Sequence, residues 1–125
     1  MSQNVDVGFK TLQASAAIAK YLRVRITSGK LAAAGIADVD DIGTIEEAAF
    51  ADLDYRAVRL YTCPGTRKMI AAAAIVKGAQ VFSAASGKVS VSASTARIRG
   101  IAMEAAAADG DVIEVMPIIG ETAVA

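Results

Sequence analysis

"GTIEEAAFADLDYRAV", from Gly43 to Val58, is the stretch that decides the fold, because a close copy of it returns 57 residues later. The copy is "GIAMEAAAADGDVIEV", from Gly100 to Val115, and eight of the sixteen aligned positions are identical. Five of those eight identities are not alanine, so the alanine-rich composition does not account for the match. The chain therefore contains an internal duplication.

The duplication extends upstream of this segment. "AAIAKYLRV" (Ala16–Val24) aligns at the same offset with "AAIVKGAQV" (Ala73–Val81), and "SGK" at Ser28–Lys30 matches "SGK" at Ser86–Lys88 one residue further on. These blocks define two repeats, residues 16–60 and 73–117. A solenoid needs at least about three repeats, so two repeats predict a pseudo-twofold barrel or sandwich instead.

Side-chain patterning within the repeats favours strands, although alanine by itself favours helix. "YLRVRIT" (Tyr21–Thr27) alternates, with Leu22, Val24 and Ile26 on one face and arginines on the other, which predicts a half-buried strand. "KVSVSAS" (Lys88–Ser94) alternates in the same way, and "SGK" predicts a hairpin turn in both repeats. We expect an all-β fold, a small barrel or sandwich of about eight short strands built from two duplicated four-strand units, with at most one short helix.

The acidic residues of the repeats are interpreted as turn residues rather than metal ligands. Asp52 and Asp54 recur as Asp109 and Asp111, and neither pair has the spacing of a calcium-binding loop. The cluster "DVDD" (Asp38–Asp41) also lacks that spacing, so it is interpreted as a solvated turn.

The sequence offers little catalytic chemistry. It has no histidine, which removes the commonest general base and metal ligand, and its one cysteine, Cys63, has no histidine partner. Glu47 and Glu104 could form a carboxylate pair, but the duplication explains their recurrence. No phosphate-binding, nucleophile-elbow or dinucleotide motif is present. We expect no enzyme activity, cofactor, metal or small-molecule substrate.

The overall composition limits the partners. The 13 basic and 13 acidic residues cancel, so neither nucleic acid nor a membrane is expected as a partner. Arg23, Arg25 and Thr66–Lys68 form small basic faces that are interpreted as solvated or as protein contacts. No apolar stretch of about 18 residues and no secretory signal are found, so the chain is expected to be made in a cytoplasm.

The 125 residues are expected to form one domain with two ends outside it. The predicted β domain covers residues 16–119, residues 120–125 form a C-terminal tail, and residues 1–15 form an extended N-terminal arm. The arm is interpreted either as a loosely packed tail or as a segment that orders on a partner. Its apolar residues, which would anchor it there, are Val5, Val7, Phe9 and Leu12.

The second half of the chain, Ala71–Ile118, resembles the C-terminal half of the phage capsid cement, or head decoration, proteins. The motifs that carry this resemblance are an "I-x-x-G-x-x-V" entry at Ile75–Val81, a "GKV" hairpin at Gly87–Val89, a "GIA-x-EAAA" segment at Gly100–Ala108, and a final strand at Val112–Met116. The first half, Arg23–Leu60, is more loosely similar to that family's N-terminal half.

The resemblance implies a non-enzymatic structural protein of the virion. Such a protein would bind the outer surface of an icosahedral phage head, cement neighbouring major capsid subunits and stabilise the expanded capsid, commonly as a homotrimer. In that family an N-terminal arm adds a strand to the capsid shell, which would give Val5, Val7, Phe9 and Leu12 a capsid contact. The alternative is a small non-enzymatic β binding module displayed on a virion or cell surface.

The two repeats differ most in the bulk of three residues. The first repeat has Phe50, Leu53 and Tyr55 at the positions where the second has small or β-branched residues, namely Ala107, Gly110 and Val112. We therefore expect the three bulky residues to form a subunit or capsid contact that the second repeat does not make.

Overall fold

The structure, a computed structural model, describes residues 8–36, 40–63, 65–92 and 96–118. These residues form ten short strands and one 3-10 turn at Ala85–Gly87. The strands are β1 (Phe9–Gln13), β2 (Arg23–Thr27), β3 (Lys30–Ala33), β4 (Asp41–Ile45), β5 (Tyr55–Leu60), β6 (Arg67–Ile70), β7 (Gln80–Ser83), β8 (Val89–Ser90), β9 (Ile98–Ala102) and β10 (Val112–Pro117).

The strands make two antiparallel sheets of identical topology. The first has the order β1-β5-β4-β2-β3 and the second has the order β6-β10-β9-β7-β8, so every strand has a counterpart five places later. One of the sheets curls into a half-barrel. The predicted all-β barrel or sandwich class is confirmed. No helix among the described residues is both long enough and apolar enough to cross a membrane.

Each repeated unit has five strands rather than the predicted four. The additional strands are β1 and β6, which align at the same offset of 57 residues as the rest of the duplication. β1 lies within the predicted arm, yet it pairs with β5 from Phe9↔Arg59 to Gln13↔Tyr55. We therefore call residues 8–60 unit 1 and residues 65–117 unit 2.

The glycine that opens the repeated segment is required by the sheet in both units. A Cβ atom on Gly43 would lie 2.1 Å from the carbonyl oxygen of Arg59, and one on Gly100 would lie 2.2 Å from that of Met116. Such distances are far below van der Waals contact, so β4 and β9 approach their neighbours this closely only because glycine has no side chain.

The aspartates of the repeated segment stabilise its turn, as predicted. The Asp54 carboxylate accepts hydrogen bonds from the backbone N–H groups of Phe50 and Ala51, at 2.9 and 3.2 Å. Asp111 accepts the equivalent bonds from Ala107 and Ala108, at 2.8 and 3.1 Å. Both turns therefore have the same side-chain cap, and in both the aspartate is a structural residue.

The two "SGK" turns also have the predicted backbone. Ser28 and Gly29 have φ values of 50° and 80°, and Ser86 and Gly87 have φ values of 59° and 77°. Ser28 and Gly29 are the two loop residues between Thr27 and Lys30, and their left-handed conformation matches the twist of the hairpin strands. In unit 2, Ser86 and Gly87 lie in the longer connection, residues 84–88, between Ser83 of β7 and Val89 of β8. Within the described part of the predicted strand "KVSVSAS", residues 88–92, Val89 and Ser90 pair with β7.

Each unit has a separate apolar core. The core of unit 1 consists of Ala14, Ile18, Leu22, Val24, Leu31, Ile45, Ala49 and Val58. The core of unit 2 consists of Met69, Ala71, Ile75, Val81, Val89, Ala102, Ala106, Ile113 and Val115. Ile70 of β6 packs against the core of unit 1, and a cluster of mostly charged side chains, described below, also joins the two units.

Candidate functional site

Three exposed apolar side chains lie at one end of unit 1. Phe50 and Leu53 belong to the turn before β5, and Tyr55 is the first residue of that strand. The exposed fractions of these residues are 78%, 52% and 63%. They are the three residues predicted as a subunit or capsid contact, and we call them the rim cluster.

The turn that carries the rim cluster is held to β1. The Leu53 N–H donates to the Ala14 carbonyl at 2.8 Å, and the Ala14 N–H donates to the Asp54 carbonyl at 2.8 Å. The side-chain amide of Gln13, the residue paired with Tyr55, donates to the Leu53 carbonyl at 3.4 Å. The rim cluster is therefore presented on a backbone whose position is fixed by the neighbouring strand.

Leu53 adopts a backbone conformation that disfavours its side chain. Its φ is +75°, in the left-handed region where a Cβ atom is crowded, and the equivalent residue of unit 2 is Gly110 with φ +94°. Unit 2 thus uses the residue that this conformation favours, whereas unit 1 keeps an exposed leucine there. Strain of this kind often accompanies a functional role.

Arg56 supports the rim cluster, although the sequence did not single it out. Its Nε donates to the Ala48 carbonyl at 2.7 Å, and its Nη1 donates to the Tyr55 carbonyl at 2.7 Å. The guanidinium lies 5.8 Å from the centre of the Phe50 ring. The equivalent residue of unit 2 is Ile113, a core residue, and that difference between the repeats is the signal that could have identified Arg56.

The charged side chains of this turn are paired with one another or with β3. Asp52 is 3.0 Å from the Lys30 ammonium, and Asp54 is 3.5 Å from the Arg56 guanidinium. Two carboxylates and two cations cancel, so these four side chains give the surroundings of the rim cluster no net charge.

The described residues of the predicted arm lie in different environments. Phe9 lies on β1 and is 37% exposed, with the Arg59 guanidinium 5.3 Å from the centre of its ring. Leu12, also on β1, packs against the core of unit 1. Leu12 is therefore partly buried within its own unit, where β1 pairs with β5. Val5 and Val7 lie outside the described residues.

A buried cluster of polar side chains joins the two units. The Asp41 carboxylate of β4 accepts hydrogen bonds from Arg23 Nη1 at 3.0 Å, from Arg99 Nη2 and Nε at 2.6 and 2.9 Å, and from the Tyr61 hydroxyl at 2.6 Å. The side chains of Arg23, Asp41 and Arg99 are almost completely inaccessible to solvent. Since Arg99 is on β9, one carboxylate holds cations from both units.

Backbone carbonyl groups complete this junction. Arg23 also donates to the carbonyls of Lys88 and Ala84 in unit 2, at 3.1 and 2.7 Å. Arg67 of β6 donates to the carbonyls of Arg59 and Leu60 in unit 1, at 2.8 and 2.9 Å. We call Arg23, Asp41, Tyr61, Arg67 and Arg99 the junction cluster. It fixes unit 1 against unit 2 through hydrogen bonds, in addition to the apolar contact of Ile70 with the core of unit 1.

The electrostatics of the junction cluster follow from its burial. Burial alone would raise the pKa of Asp41, but hydrogen bonds from Arg99 and Tyr61 and the charges of Arg99 and Arg23 outweigh it and hold that pKa below its ordinary value. Burial, together with the negative charge of Asp41, raises the pKa of Tyr61, so the phenol stays protonated and donates. Burial lowers the pKa of the Arg67 guanidinium.

The interpretation of Asp41 as a solvated turn residue is wrong, and of the two alternatives given for Arg23 and Arg67 the solvated one is wrong. Arg23 is buried because its face of the sheet is covered by unit 2, and a register shift between Val24 and Arg25 disturbs the expected alternation of β2. In the repeat alignment, Arg23 is at the same position as Gln80, and Asp41 is at the same position as Ile98. A charged residue that aligns with an uncharged residue of the other repeat was therefore the sequence signal that could have identified Arg23 and Asp41 as buried.

A polar cleft of about 470 Å³ lies between the units. Its lining combines three carboxylates, three cations, a hydroxyl and one aromatic ring, from Tyr21, Glu46, Arg59, Thr66, Arg67, Lys68, Glu104 and Glu114. Glu104 accepts a hydrogen bond from the Glu114 N–H at 2.8 Å, whereas Glu47 does not line the cleft. The cleft therefore does not bring Glu47 and Glu104 together as a carboxylate pair.

Among the described residues, no three carboxylate or thiol side chains are grouped so that they could hold a metal ion. Comparison with protein-family profiles finds no match for this chain, and comparison with curated proteins finds none. The function has to be inferred from the fold and from the rim cluster.

Proposed function

We propose that this chain is a structural virion protein that binds the outer surface of an icosahedral phage head and cements neighbouring major capsid subunits. The observation that carries the proposal is how the segment resembling capsid cement proteins folds. Ala71–Ile118 contains four of the five strands of the second sheet, β7 to β10, with the "GKV" motif at the β7–β8 connection and the "GIA" motif in β9. The motifs thus coincide with the turns and strands that the resemblance implies.

The surface of unit 1 supports a role in protein binding. The rim cluster offers two aromatic side chains and a leucine on a fixed backbone, with Arg56 beside them. Tyrosine and arginine are enriched among the residues that dominate binding energy at protein interfaces. On a capsid, many copies of such a small contact would act together, so that modest affinity at each site gives firm attachment to the shell.

Binding to empty shells tests this function. The protein is mixed with expanded phage heads that lack their decoration protein, and with unexpanded precursor heads as the control. We expect saturable binding to the expanded heads only, together with a higher melting temperature of the shell in a calorimetric scan. Absence of binding, or binding without any stabilisation of the shell, would contradict the proposal.

The alternative is a small binding module displayed on a virion or cell surface, and the exposed rim cluster is the observation that favours it. Such a module would use the same side chains but would leave the shell's melting temperature unchanged. The calorimetric scan therefore separates the two functions.

A further inference from the structure

We infer that the rim cluster inserts into a neutral, apolar pocket on another protein, and not into a second copy of this chain. The inference rests on the proposed function, because it takes that other protein to be the major capsid subunit. It specifies the chemistry of the partner surface, which the proposed function leaves open.

The exposure of the three side chains indicates the shape of the partner. Phe50 has 78% of its surface uncovered and Tyr55 has 63%, so this chain covers only a small part of either ring. Burying such rings requires a partner surface that surrounds them, and aromatic anchors of this kind occupy pockets near the centre of protein interfaces. The partner surface is therefore concave and apolar.

The surrounding charges indicate the electrostatics of the partner. Asp52 and Asp54 are paired with Lys30 and Arg56, so the turn presents no unpaired charge among these four side chains. Asp54 is further occupied by two backbone N–H groups of the turn. A charged partner pocket would find no unpaired charge among these four side chains, so the matching pocket is neutral.

The large cleft of this chain does not meet these requirements. It is lined by Glu46, Arg59, Arg67, Lys68 and other polar side chains. Placing the rim cluster of a second copy there would remove water from several charges without pairing them, which opposes binding. A contact between two rim clusters would bring exposed rings against each other and surround neither. Both observations favour a different protein as the partner.

The repeat itself supplies the variant that tests this inference. The triple substitution Phe50→Ala, Leu53→Gly and Tyr55→Val installs the residues that unit 2 has at these positions, Ala107, Gly110 and Val112. Since unit 2 folds the same turn with them, the variant is expected to fold. The matched control is Val76→Ala with Met103→Ala, which removes exposed apolar side chains of unit 2.

The experiment measures binding of the three full-length proteins to expanded heads and the mass of each free protein by light scattering. We expect the triple variant to bind about 30-fold or more weakly and the control within about twofold of the wild type. The ratio of wild-type to triple-variant affinity should stay constant between about 0.05 and 0.5 M NaCl, because a neutral contact is not screened.

Three results would overturn the inference while the proposed function stands: equal binding by the triple variant, an affinity ratio that falls with salt, or a lower oligomeric mass of the free triple variant. The last of these would identify a second copy as the occupant. If the wild-type protein itself does not bind the heads, the proposed function fails and the inference fails with it. The two failures are therefore distinguishable.

Discussion

Leu53 has a backbone conformation that suits glycine better than leucine. Its φ of +75° lies in the left-handed region, where a Cβ atom is crowded. Because 52% of the residue is exposed, packing of the side chain offsets little of the free-energy cost of this conformation. A residue with a Cβ atom loses about 1–2 kcal/mol in this conformation relative to glycine. Folding alone would therefore favour glycine at this position, as at Gly110 of unit 2.

This gives a prediction that reverses the usual order of stability. Leu53→Gly should be more stable than Leu53→Ala by about 1 kcal/mol, because alanine retains the strained Cβ atom and glycine does not. Urea denaturation of the two variants measures the difference. The reciprocal control is Gly110→Ala, which should lose about the same free energy of unfolding. Equal stability of Leu53→Gly and Leu53→Ala would show that the strain at this residue is negligible.

At the scale of single residues, the sequence predicted turn residues well and buried charges poorly. Asp54 and Asp111 follow a local rule, since their hydrogen bonds reach only three or four residues along the chain. Asp41 and Arg99 are 58 residues apart, and no local pattern distinguishes a buried carboxylate from a solvated one. Only the mismatch between the two repeats contained information about that contact.

At the scale of elements, the duplication predicted most strands and missed the first strand of each unit. The pattern of "FKTLQ" in β1 does not alternate cleanly, and its burial is intermediate or exposed throughout. β1 becomes a strand because β5, more than 40 residues later, pairs with it along its whole length. Such a long-range pairing can override weak local preference, and it cannot be deduced from the pattern of β1 alone.

The close pairing of β4 with β5 and of β9 with β10 predicts a shared sensitivity. Gly43→Ala and Gly100→Ala should each destabilise the protein by about 3 kcal/mol or more, because the added methyl group would meet a backbone carbonyl that cannot move independently of its strand. Gly78→Ala is the control, since nothing lies within 4 Å of its added Cβ and its φ of +90° is the main cost, about 1–2 kcal/mol. Chemical denaturation compares the three variants. Similar losses at Gly78 and Gly100 would contradict the crowding argument.

At the scale of the whole molecule, the two units have separate cores, and the junction cluster joins them through buried hydrogen bonds. Asp41 is the only carboxylate among the five residues of that cluster, and it holds Arg23 of unit 1 and Arg99 of unit 2. Its loss would leave two buried guanidinium groups without a counter-charge. A rigid arrangement of the units matters for the proposed function, because a cement protein must keep its contact surfaces in fixed positions.

We therefore predict that Asp41→Asn lowers the free energy of unfolding by about 3–5 kcal/mol at neutral pH, as expected when one partner of a buried ion pair is removed. Asp40→Asn, at the neighbouring residue, should cost less than about 1 kcal/mol, because its pair with Arg25 is exposed to solvent. Guanidinium chloride would screen these charges, so urea denaturation is the suitable measurement. Equal losses for the two variants would show that the junction cluster does not stabilise the fold.

The same pair of proteins gives a pH dependence whose sign follows from the pKa of Asp41. That pKa is lowered from its ordinary value of 3.8, so the carboxylate contributes stability that is complete well above pH 3.8 and is lost as the pH falls through the lower pKa of the folded state. The wild-type protein should accordingly lose stability in acid while Asp41→Asn, which resembles the protonated form, loses less. The difference in unfolding free energy between them should be constant from about pH 7 to 5 and should shrink below about pH 4. A difference that stays the same down to pH 2 would mean that the cost of Asp41→Asn arises from packing rather than from the charge that joins the two units.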